Sequence, residues 1–458
     1  MALADLRPHL RPTVLLAYPV VLSQLGHVLV NVVDSVVVGH TGKVPLAAVS
    51  LSVDIVSVFM MMGLGLSMGI TPLVATADGQ RDVHRIGQLL TSGVLVCTFA
   101  GFLLAAAGWL ALPFLKYLNQ APEVVELAIP WARVMFLSLI PLMVFQGFRQ
   151  FAEGLGLTRQ AMQLSILANV LNGVLCYAFV FGKLGSPAFG MMGAAWATLL
   201  ARGLMAALMA AYVLRASRLQ PYRAAASWRA DWATQRHLFG IGLPIAAHLV
   251  FEVGAFSVAG IMAGWLGPST QAAHRIALNV ASVTFMAVSG IATAATIRVG
   301  NLRGIGDWLG ARRAGFAAYA FTFAFMGGCG LLLILFRHYI PTLYNSDPAV
   351  LAQAATLLLV AALFQVSDGL QVVGLGALRG LHDVKIPSLV ALLAYWVAAL
   401  PLGYFLGFVL NWGAPGVWLG LLLGLSLVAA LLLFRFSVLS TRSVARSLAV
   451  NEPTEVLR

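Results

Sequence analysis

Long apolar runs recur along the whole chain, and most polar positions fall in short gaps between them. A helix needs roughly 20 apolar residues to cross the hydrocarbon core of a bilayer. The pattern therefore predicts an all-α polytopic membrane protein with twelve transmembrane helices. Their predicted spans are about 14–38, 47–76, 88–113, 124–148, 160–182, 190–214, 237–263, 270–297, 314–336, 349–376, 386–411 and 414–434.

The chain contains a direct internal repeat. A shift of 225 residues aligns Pro19–Asp82 with Pro244–Asp307 without a gap, and 15 of the 64 aligned positions are identical. The identities include Gly, Pro and Asp, which composition alone does not favour in an apolar chain. The matched prolines, Pro19 and Pro244, are expected to kink helices 1 and 7.

The repeat predicts two six-helix lobes. Because each lobe has an even number of helices, both enter the membrane from the same side, as in a parallel repeat about an axis along the membrane normal. We expect substrate to bind between the lobes. The expected divisions are an N-lobe at 1–214, a cytoplasmic linker at 215–236, a C-lobe at 237–440 and a cytoplasmic tail at 441–458.

Composition and charge agree with a membrane protein. Only 10% of the residues are charged, against about 25% in a soluble protein. With the N-terminus inside, 21 of the 28 basic residues fall in inside segments and four in outside loops. This asymmetry follows the positive-inside rule and accounts for the net charge of +12. We expect a multi-pass protein of the bacterial plasma membrane with cytoplasmic termini and no nucleic-acid partner.

The best functional candidates are polar side chains inside the apolar spans, where ionised groups are costly. Four acids lie there: Asp34, Asp54, Glu252 and Asp368. Each has a structural alternative as a hydrogen-bonding group between helices, and Asp54 lies near enough to the end of helix 2 to reach the interface. The companion polar residues share helical faces with these acids. They are Gln24, His27 and Asn31 with Asp34, His248 with Glu252, Gln365 and Gln371 with Asp368, and the pair Asn169 and Asn172 on helix 5.

Motifs of several enzyme classes are missing from the sequence. It contains no P-loop, no HExxH and no GxSxG. The cysteines Cys97, Cys176 and Cys329 have neither paired nor metal-ligand spacing, so we expect no disulfide, zinc site or cofactor. A membrane-embedded enzyme remains an alternative, although the acids lie on separate helices without a nucleophile and base at suitable spacing.

Strings in both halves resemble the multidrug and toxic compound extrusion (MATE) transporters, especially their NorM-like branch. The resemblance runs from Pro19 to about Leu433. It is carried by YPVVLSQ, VVDSVVVGHTG, PLAAVSL, LSMGITPLVATADGQRD, GLPIAAHLVFEVGAFSVAGIMAGWLG, QAAHRIALNVASVTFM, IATAATIRVGNLRGIGD, SDGLQVVGLGALRG and AYWVAALPLGY. It implies twelve helices in two lobes and export of organic, often cationic, compounds driven by inward flow of protons or sodium ions.

The resemblance also implies site residues. Asp34 matches the acid of the family's N-lobe cation site, with Asn172 and Thr198 as polar partners. Glu252 and Asp368 match the C-lobe carboxylates. Cys176 stands where the family usually has Asn or Asp, and a thiol is a poor sodium ligand, which favours proton coupling through Asp34.

We therefore expect a monomeric antiporter in contact with membrane lipids, which alternates access between the cytoplasm and the exterior. Proton or sodium coupling is assigned to Asp34, Glu252, Asp368, Asn172 and Thr198. Contacts with the organic substrate are assigned to Gln24, His27, Asn31, His248 and Gln365. The alternative is a lipid-linked or polysaccharide flippase of the related superfamily, which would need a more cationic cavity than one whose basic groups are Arg202 and Arg275.

Overall fold

The computed structural model of the chain is helical almost throughout. It describes residues 3–40, 42–117, 121–183, 185–227, 229 and 231–451. The side chains of 3–5, 27–29, 31–36 and 450–451 lie outside the described residues. Sixteen α-helices are found in the described ranges, and no strand occurs in them.

The first half of the chain forms eight of these helices and a short ninth. They are α1 Leu3–Gly39, α2 Lys43–Ser67, α3 Ile70–Gly79, α4 Val83–Ala111, α5 Pro122–Leu137, α6 Leu139–Gly154, α7 Thr158–Phe181, α8 Met191–Arg215 and α9 Gln220–Ala224. Single 3₁₀ segments follow α4 at Leu112–Tyr117 and precede α9 at Ser217–Leu219.

The second half forms the remaining seven helices. They are α10 Trp232–Trp265, α11 Pro268–Ile305, α12 Trp308–Phe336, α13 Pro348–Gly380, α14 Lys385–Leu392, α15 Leu400–Tyr404 and α16 Ala414–Asn451. A 3₁₀ turn lies at Ile340–Leu343, and π-helical turns lie at Leu393–Ala399 and Phe405–Val409.

Eleven helical stretches in the described part of the chain are long and apolar enough to cross a membrane, which confirms an all-α polytopic membrane protein. The 37-residue helix α1 would supply the twelfth span. Two predicted spans are each divided into two helices, helix 2 into α2 and α3 and helix 4 into α5 and α6. Pro72 and Pro141 are the third residues of α3 and α6, and their missing N–H groups interrupt the hydrogen-bond ladder there.

The two halves repeat the same backbone features at aligned positions. Gly42 and Gly267, which precede α2 and α11, have φ of 128° and 118°, values that favour glycine. Asp82 and Asp307 both cap the following helix, accepting from the backbone N–H of Arg85 and Gly310. An aspartate at this position satisfies an amide that the helix itself leaves without a partner.

The repeat extends to a buried hydroxyl in each half. Thr71 Oγ1 lies 3.1 Å from the carbonyl oxygen of Gln150 and 2.5 Å from its side-chain Oε1, and it donates to one of them, joining α3 to α6. The aligned Thr296 donates to the carbonyl of Gly376 at 2.8 Å, joining α11 to α13. A hydroxyl thus links the equivalent pair of helices in both halves.

Contacts group the chain into two compact units, Leu22–Leu249, and Met1–Val21 together with Val250–Arg458. The chain changes unit inside α1, two residues after Pro19, and inside α10, five residues after Pro244. These units are defined by contact, whereas the predicted lobes follow the repeat. The boundaries at 214 and 237 therefore stay a prediction.

The segment between the halves belongs to the unit Leu22–Leu249, called the first unit below, and packs against its helices. Helix α9 contacts α4 and α8. Arg85 on α4 donates to Thr234 Oγ1 at 2.6 Å, and Thr234 in turn donates to Asp231 Oδ2 at 2.6 Å. Asp231 thereby anchors the start of α10 beside α4.

Candidate functional site

The second unit holds a buried polar network on α10, α13 and the first π-helical turn. Gln371 Nε2 lies 3.0 Å from Glu252 Oε1, to which it donates. The hydroxyl of Tyr395 lies 3.1 Å from the same carboxyl oxygen and 2.6 Å from Gln371 Oε1. All three side chains are at most 5% exposed. This network brings two residues of the predicted polar faces together with a tyrosine that those faces did not include.

The network has one hydrogen-bond arrangement for each protonation state of Glu252. Tyr395 has a single hydroxyl proton and two acceptors within reach. When it donates to Gln371, its oxygen can accept from a protonated Glu252. When Glu252 is ionised, Tyr395 can donate to the carboxylate instead. A change of one proton at Glu252 can therefore be accommodated by rotating a hydroxyl group.

A neighbouring contact holds the same turn of α10. Trp396 donates its indole N–H to the carbonyl of Phe251 at 3.1 Å. Tyr395 and Trp396 lie in the π-helical turn that precedes Pro401. Pro401 cannot donate to the carbonyl four residues earlier, so the α-helical ladder is broken there. Tyr395 and Trp396 belong to the motif AYWVAALPLGY, but the sequence did not predict that both contact α10.

Two side chains of α13 interact electrostatically with Glu252 of α10. They are Asp368, which is buried, and Arg379 near the end of α13. Glu252 and Asp368 together are called the acidic site below. Arg379 lies in the Gly-rich run GLGALRG, just after the predicted span at about 349–376.

Gln365 is one turn from Asp368 but hydrogen-bonds elsewhere. Its amide oxygen is 2.7 Å from Thr284 Oγ1 on α11, and its amide nitrogen is buried without a hydrogen-bond partner among the described residues. Thr284 also lies 2.8 Å from the carbonyl of Ala281 and can donate to only one of these acceptors. Gln365 is therefore a polar group with unused hydrogen-bonding capacity at the edge of the acidic site.

The first unit contains the polar partners predicted for its cation site. Asn172 and Cys176 on α7 are buried, as is Thr198 on α8. The two helices pack against each other. Asn169, one turn before Asn172, lies against Gly26 of α1, where a Cβ would meet its amide nitrogen at 2.8 Å. The side chain of Asp34 lies outside the described residues, so its place in this site stays a prediction.

The other predicted residues are spread over both units. Gln24 is half-buried on α1, and His248 is buried on α10. The side chains of His27 and Asn31 lie outside the described residues. Pro19 and Pro244 lie inside the continuous helices α1 and α10. Their predicted role as kinks and the substrate contacts stay predictions.

The remaining charged residues of the spans have separate environments. Asp54 is exposed on α2. Arg202, half-buried on α8, donates to Ser138 Oγ at 2.7 Å and approaches Met60 Sδ at 3.8 Å. Ser138 lies at the break between α5 and α6. An arginine in the middle of α8 thus binds neutral groups at a helix break.

A buried ion pair on α6 was not predicted from the sequence. Arg149 Nε is 2.7 Å from Glu153 Oε1, and the side chains are 5% and 3% exposed. The guanidinium group also lies 6.0 Å from the ring centre of Phe145. The i, i+4 spacing of opposite charges was the available signal. Both residues come after the predicted span at about 124–148, in a segment where charged side chains are ordinarily solvated.

Comparisons with known proteins give two matches to one family model. The MatE family model matches residues 19–178 and 244–405. The two matches begin 225 residues apart, which is the shift of the internal repeat. The family model therefore matches each half of the chain once.

Curated relatives match nearly the full chain. A "Probable multidrug resistance protein NorM" from Rhizobium meliloti is 35% identical over 438 residues, covering 93% of each chain. A protein of the same description from Rhodopseudomonas palustris is 36% identical over 448 residues, covering 97% of this chain and 94% of the relative. These matches confirm the resemblance to the NorM-like branch.

Solved structures share the fold. The eukaryotic MATE transporter AtDTX14 has a TM-score of 0.87 at 21% identity, covering 97% of this chain and all of that one. A MOP superfamily transporter from Pyrococcus furiosus has a TM-score of 0.85 at 20% identity, covering 95% and 96% of the two chains. These similarities show that the chain shares the fold of those proteins.

Proposed function

Since the chain belongs to the MatE family, we propose that it is a cation-coupled antiporter that exports organic, often cationic, compounds by alternating access. Its relatives in Rhizobium and Rhodopseudomonas are described as multidrug resistance proteins. Protons or sodium ions flowing inward drive the export. The protein acts as a monomer in the plasma membrane with both termini in the cytoplasm.

The observation that carries the proposal is the buried network of Glu252, Gln371 and Tyr395. A carboxyl group on an apolar helix is expensive to keep unless it serves a transported ion or a partner. Its hydrogen-bond partners can adapt to gain or loss of a proton, as argued above. Asp368, which is also buried, adds a second carboxyl group to this site. Drug and coupling ion then compete for the same acidic site.

The first unit contributes a second coupling site through Asp34, Asn172 and Thr198. Cys176 replaces an oxygen ligand one turn from Asn172. Because sodium prefers oxygen ligands, protons are the coupling ion we propose for this site. In the second unit, the carboxyl, amide and hydroxyl oxygens suit either a proton or a sodium ion.

We assign the motion of alternating access to α1 and α10, the two helices that pass from one contact unit to the other. The backbone passes between units only within α1 and α10 in the described part of the chain. Each crossing follows a proline, Pro19 or Pro244, that removes a helix hydrogen bond. We assign the bending of α1 and α10 during transport to these positions.

The test is pH-gradient-driven ethidium efflux from vesicles. Asp34→Asn and Glu252→Gln should each reduce transport at least tenfold, because each removes an ionisable group of the coupling sites. The exposed acid Glu123 provides the control, and Glu123→Gln should transport normally. Undiminished transport in both Asp34→Asn and Glu252→Gln would overturn the assignment. Movement of a lipid-linked sugar without ethidium would favour the flippase alternative.

A further inference from the structure

The second contact unit carries a cavity that lies apart from the acidic network. It has a volume of about 650 Å³ and opens between α1, α12, α13 and α16. Arg312, Phe316, Tyr319 and Phe323 line it from α12, with Leu370 and Leu433 on the opposite walls. Phe323 is 60% exposed, so the cavity opens to the apolar surface of the protein.

The length of the cavity matches one leaflet of a bilayer. Its α12 residues recur every three or four positions and therefore share one face of the helix. At 1.5 Å per residue, the stretch from Arg312 to Phe323 is about 16 Å long. The hydrocarbon core of a bilayer is about 30 Å thick, so this stretch spans about half of it. A cationic group lies at one end and apolar groups at the other.

Arg312 forms the cationic end of the cavity, and three other arginines lie near it in the sequence, on either side of the turn between α11 and α12. Arg298 and Arg303 precede the turn between α11 and α12, and Arg312 and Arg313 follow it. Each has one buried guanidinium nitrogen without a hydrogen-bond partner in the described part of the chain. His9 accepts from Arg298 Nη2 at 3.0 Å and interacts electrostatically with Arg313. Buried unsatisfied donors on charged groups are costly, so an anion is the expected partner.

A second orphaned group lines the cavity itself. Tyr319 is 5% exposed, and its buried hydroxyl has no hydrogen-bond partner among the described residues. Its ring packs against Phe316 and Phe436, with centroids 6.3 and 6.1 Å away. The ring is therefore fixed, and its hydroxyl lies against Gly374 of α13, where a Cβ would meet it at 2.6 Å.

We propose that this cavity binds an anionic phospholipid of the leaflet on the side of the α11–α12 turn. The phosphate pairs with Arg312, and the neighbouring arginines add positive charge. An acyl chain runs along Phe316 and Phe323 between Leu370 and Leu433. The ring of Tyr319 forms part of the same wall. Basic pockets between transmembrane helices bind acidic head groups on the cytoplasmic side of membranes, which is the side of this turn in the proposed orientation.

The occupant is a lipid rather than a soluble anion because the apolar part of the cavity is continuous with its cationic end. A free phosphate would use Arg312 but leave the wall from Phe316 to Phe323 uncovered. A zwitterionic lipid would fill the wall but bring no net negative charge to the arginines. The two parts together therefore require an anionic head and an apolar tail in one molecule.

The experiment is native mass spectrometry of the full chain in detergent, titrated with phosphatidylglycerol or phosphatidylethanolamine of the same acyl chains. The wild type should retain phosphatidylglycerol preferentially, and Arg312→Gln should weaken its binding about fivefold, as expected for one basic residue at a membrane surface. The control Arg442→Gln makes the same charge change at an exposed position on α16. It should bind like the wild type.

A further variant tests the apolar part and does not depend on the folding of Arg312→Gln. Ala320→Phe fills the cavity that Ala320 lines and should reduce retention of both lipids. Inorganic phosphate should not displace the bound lipid. Equal retention of the two lipids, equal losses in Arg312→Gln and Arg442→Gln, unchanged binding in Ala320→Phe, or displacement by phosphate would each overturn the proposal.

Discussion

Trp396 donates its indole N–H to the carbonyl of Phe251, the residue immediately before Glu252. Tyr395, its neighbour, reaches the Glu252 carboxyl group itself. Two consecutive residues of one π-helical turn thus hold both the backbone and the side chain of the acidic position. This explains how a carboxyl group on a long apolar helix keeps a fixed orientation while its protonation changes.

The Tyr395 hydroxyl should matter for transport more than its ring. Tyr395→Phe removes the group shared by Glu252 and Gln371 and should lower ethidium efflux about tenfold, the effect of losing one hydrogen bond to a charged group. The control is Tyr404→Phe, since Tyr404 is exposed and stacks on Phe408. Equal efflux by the two variants would mean that the Tyr395 hydroxyl has no part in coupling.

The repeat-related threonines should contribute equally to stability. Thr71→Val and Thr296→Val each remove one buried interhelical hydrogen bond and should lower the free energy of unfolding by about 1–2 kcal/mol. The exposed Thr441 bonds only within its own helix, so Thr441→Val should leave the stability nearly unchanged. Thermal unfolding of the purified variants measures this. A large loss in only one of the two buried variants would contradict an equivalent role.

The ion pair of Arg149 and Glu153 should be costly to break on one side. Arg149→Met leaves the buried Glu153 charge uncompensated and should destabilise the protein by about 3–5 kcal/mol. The double variant Arg149→Met with Glu153→Leu removes both charges and should recover most of that loss. Chemical denaturation compares the three proteins. A double variant as unstable as Arg149→Met would contradict this account of the pair.

Asp231 should stabilise the start of α10 only above acidic pH. Hydrogen bonding to Thr234, together with backbone amides and Arg85, lowers the pKa of this exposed carboxyl below its ordinary value. A lowered pKa in the folded state adds stability above the pKa of the unfolded chain, about 3.9, and this stability is lost as pH falls through the folded pKa. Asp231→Asn should therefore melt slightly below the wild type at pH 7, and the difference should shrink as the pH falls below about 3.9. A difference that stays constant from pH 7 to pH 3 would contradict the assignment.

The helices were largely predictable because the bilayer imposes a long apolar pattern on each. The predicted span at about 160–182 is α7, Thr158–Phe181, and the span at about 349–376 is α13, Pro348–Gly380. The breaks before Pro72 and Pro141 were not predicted. Their physical cause, a proline at the third position of the following helix, was present in the sequence, but hydropathy is continuous across both.

The acidic site was predictable only in part. Glu252, Asp368 and Gln371 stand out because they are polar residues within apolar helices. Tyr395 does not, since tyrosine is common in membrane proteins and its partner lies 143 positions away along the chain. Arg379 was assigned to an inside segment, where arginine is expected, and its attraction to Glu252 depends on tertiary packing.

The most direct test of cation-coupled export is ethidium movement in proteoliposomes under separately imposed pH and sodium gradients. The account predicts uphill ethidium movement under at least one inward cation gradient, with movement of that cation in the opposite direction, and loss of both in Glu252→Gln. Ethidium that only equilibrates under both gradients, or moves uphill equally well in Glu252→Gln, would contradict it.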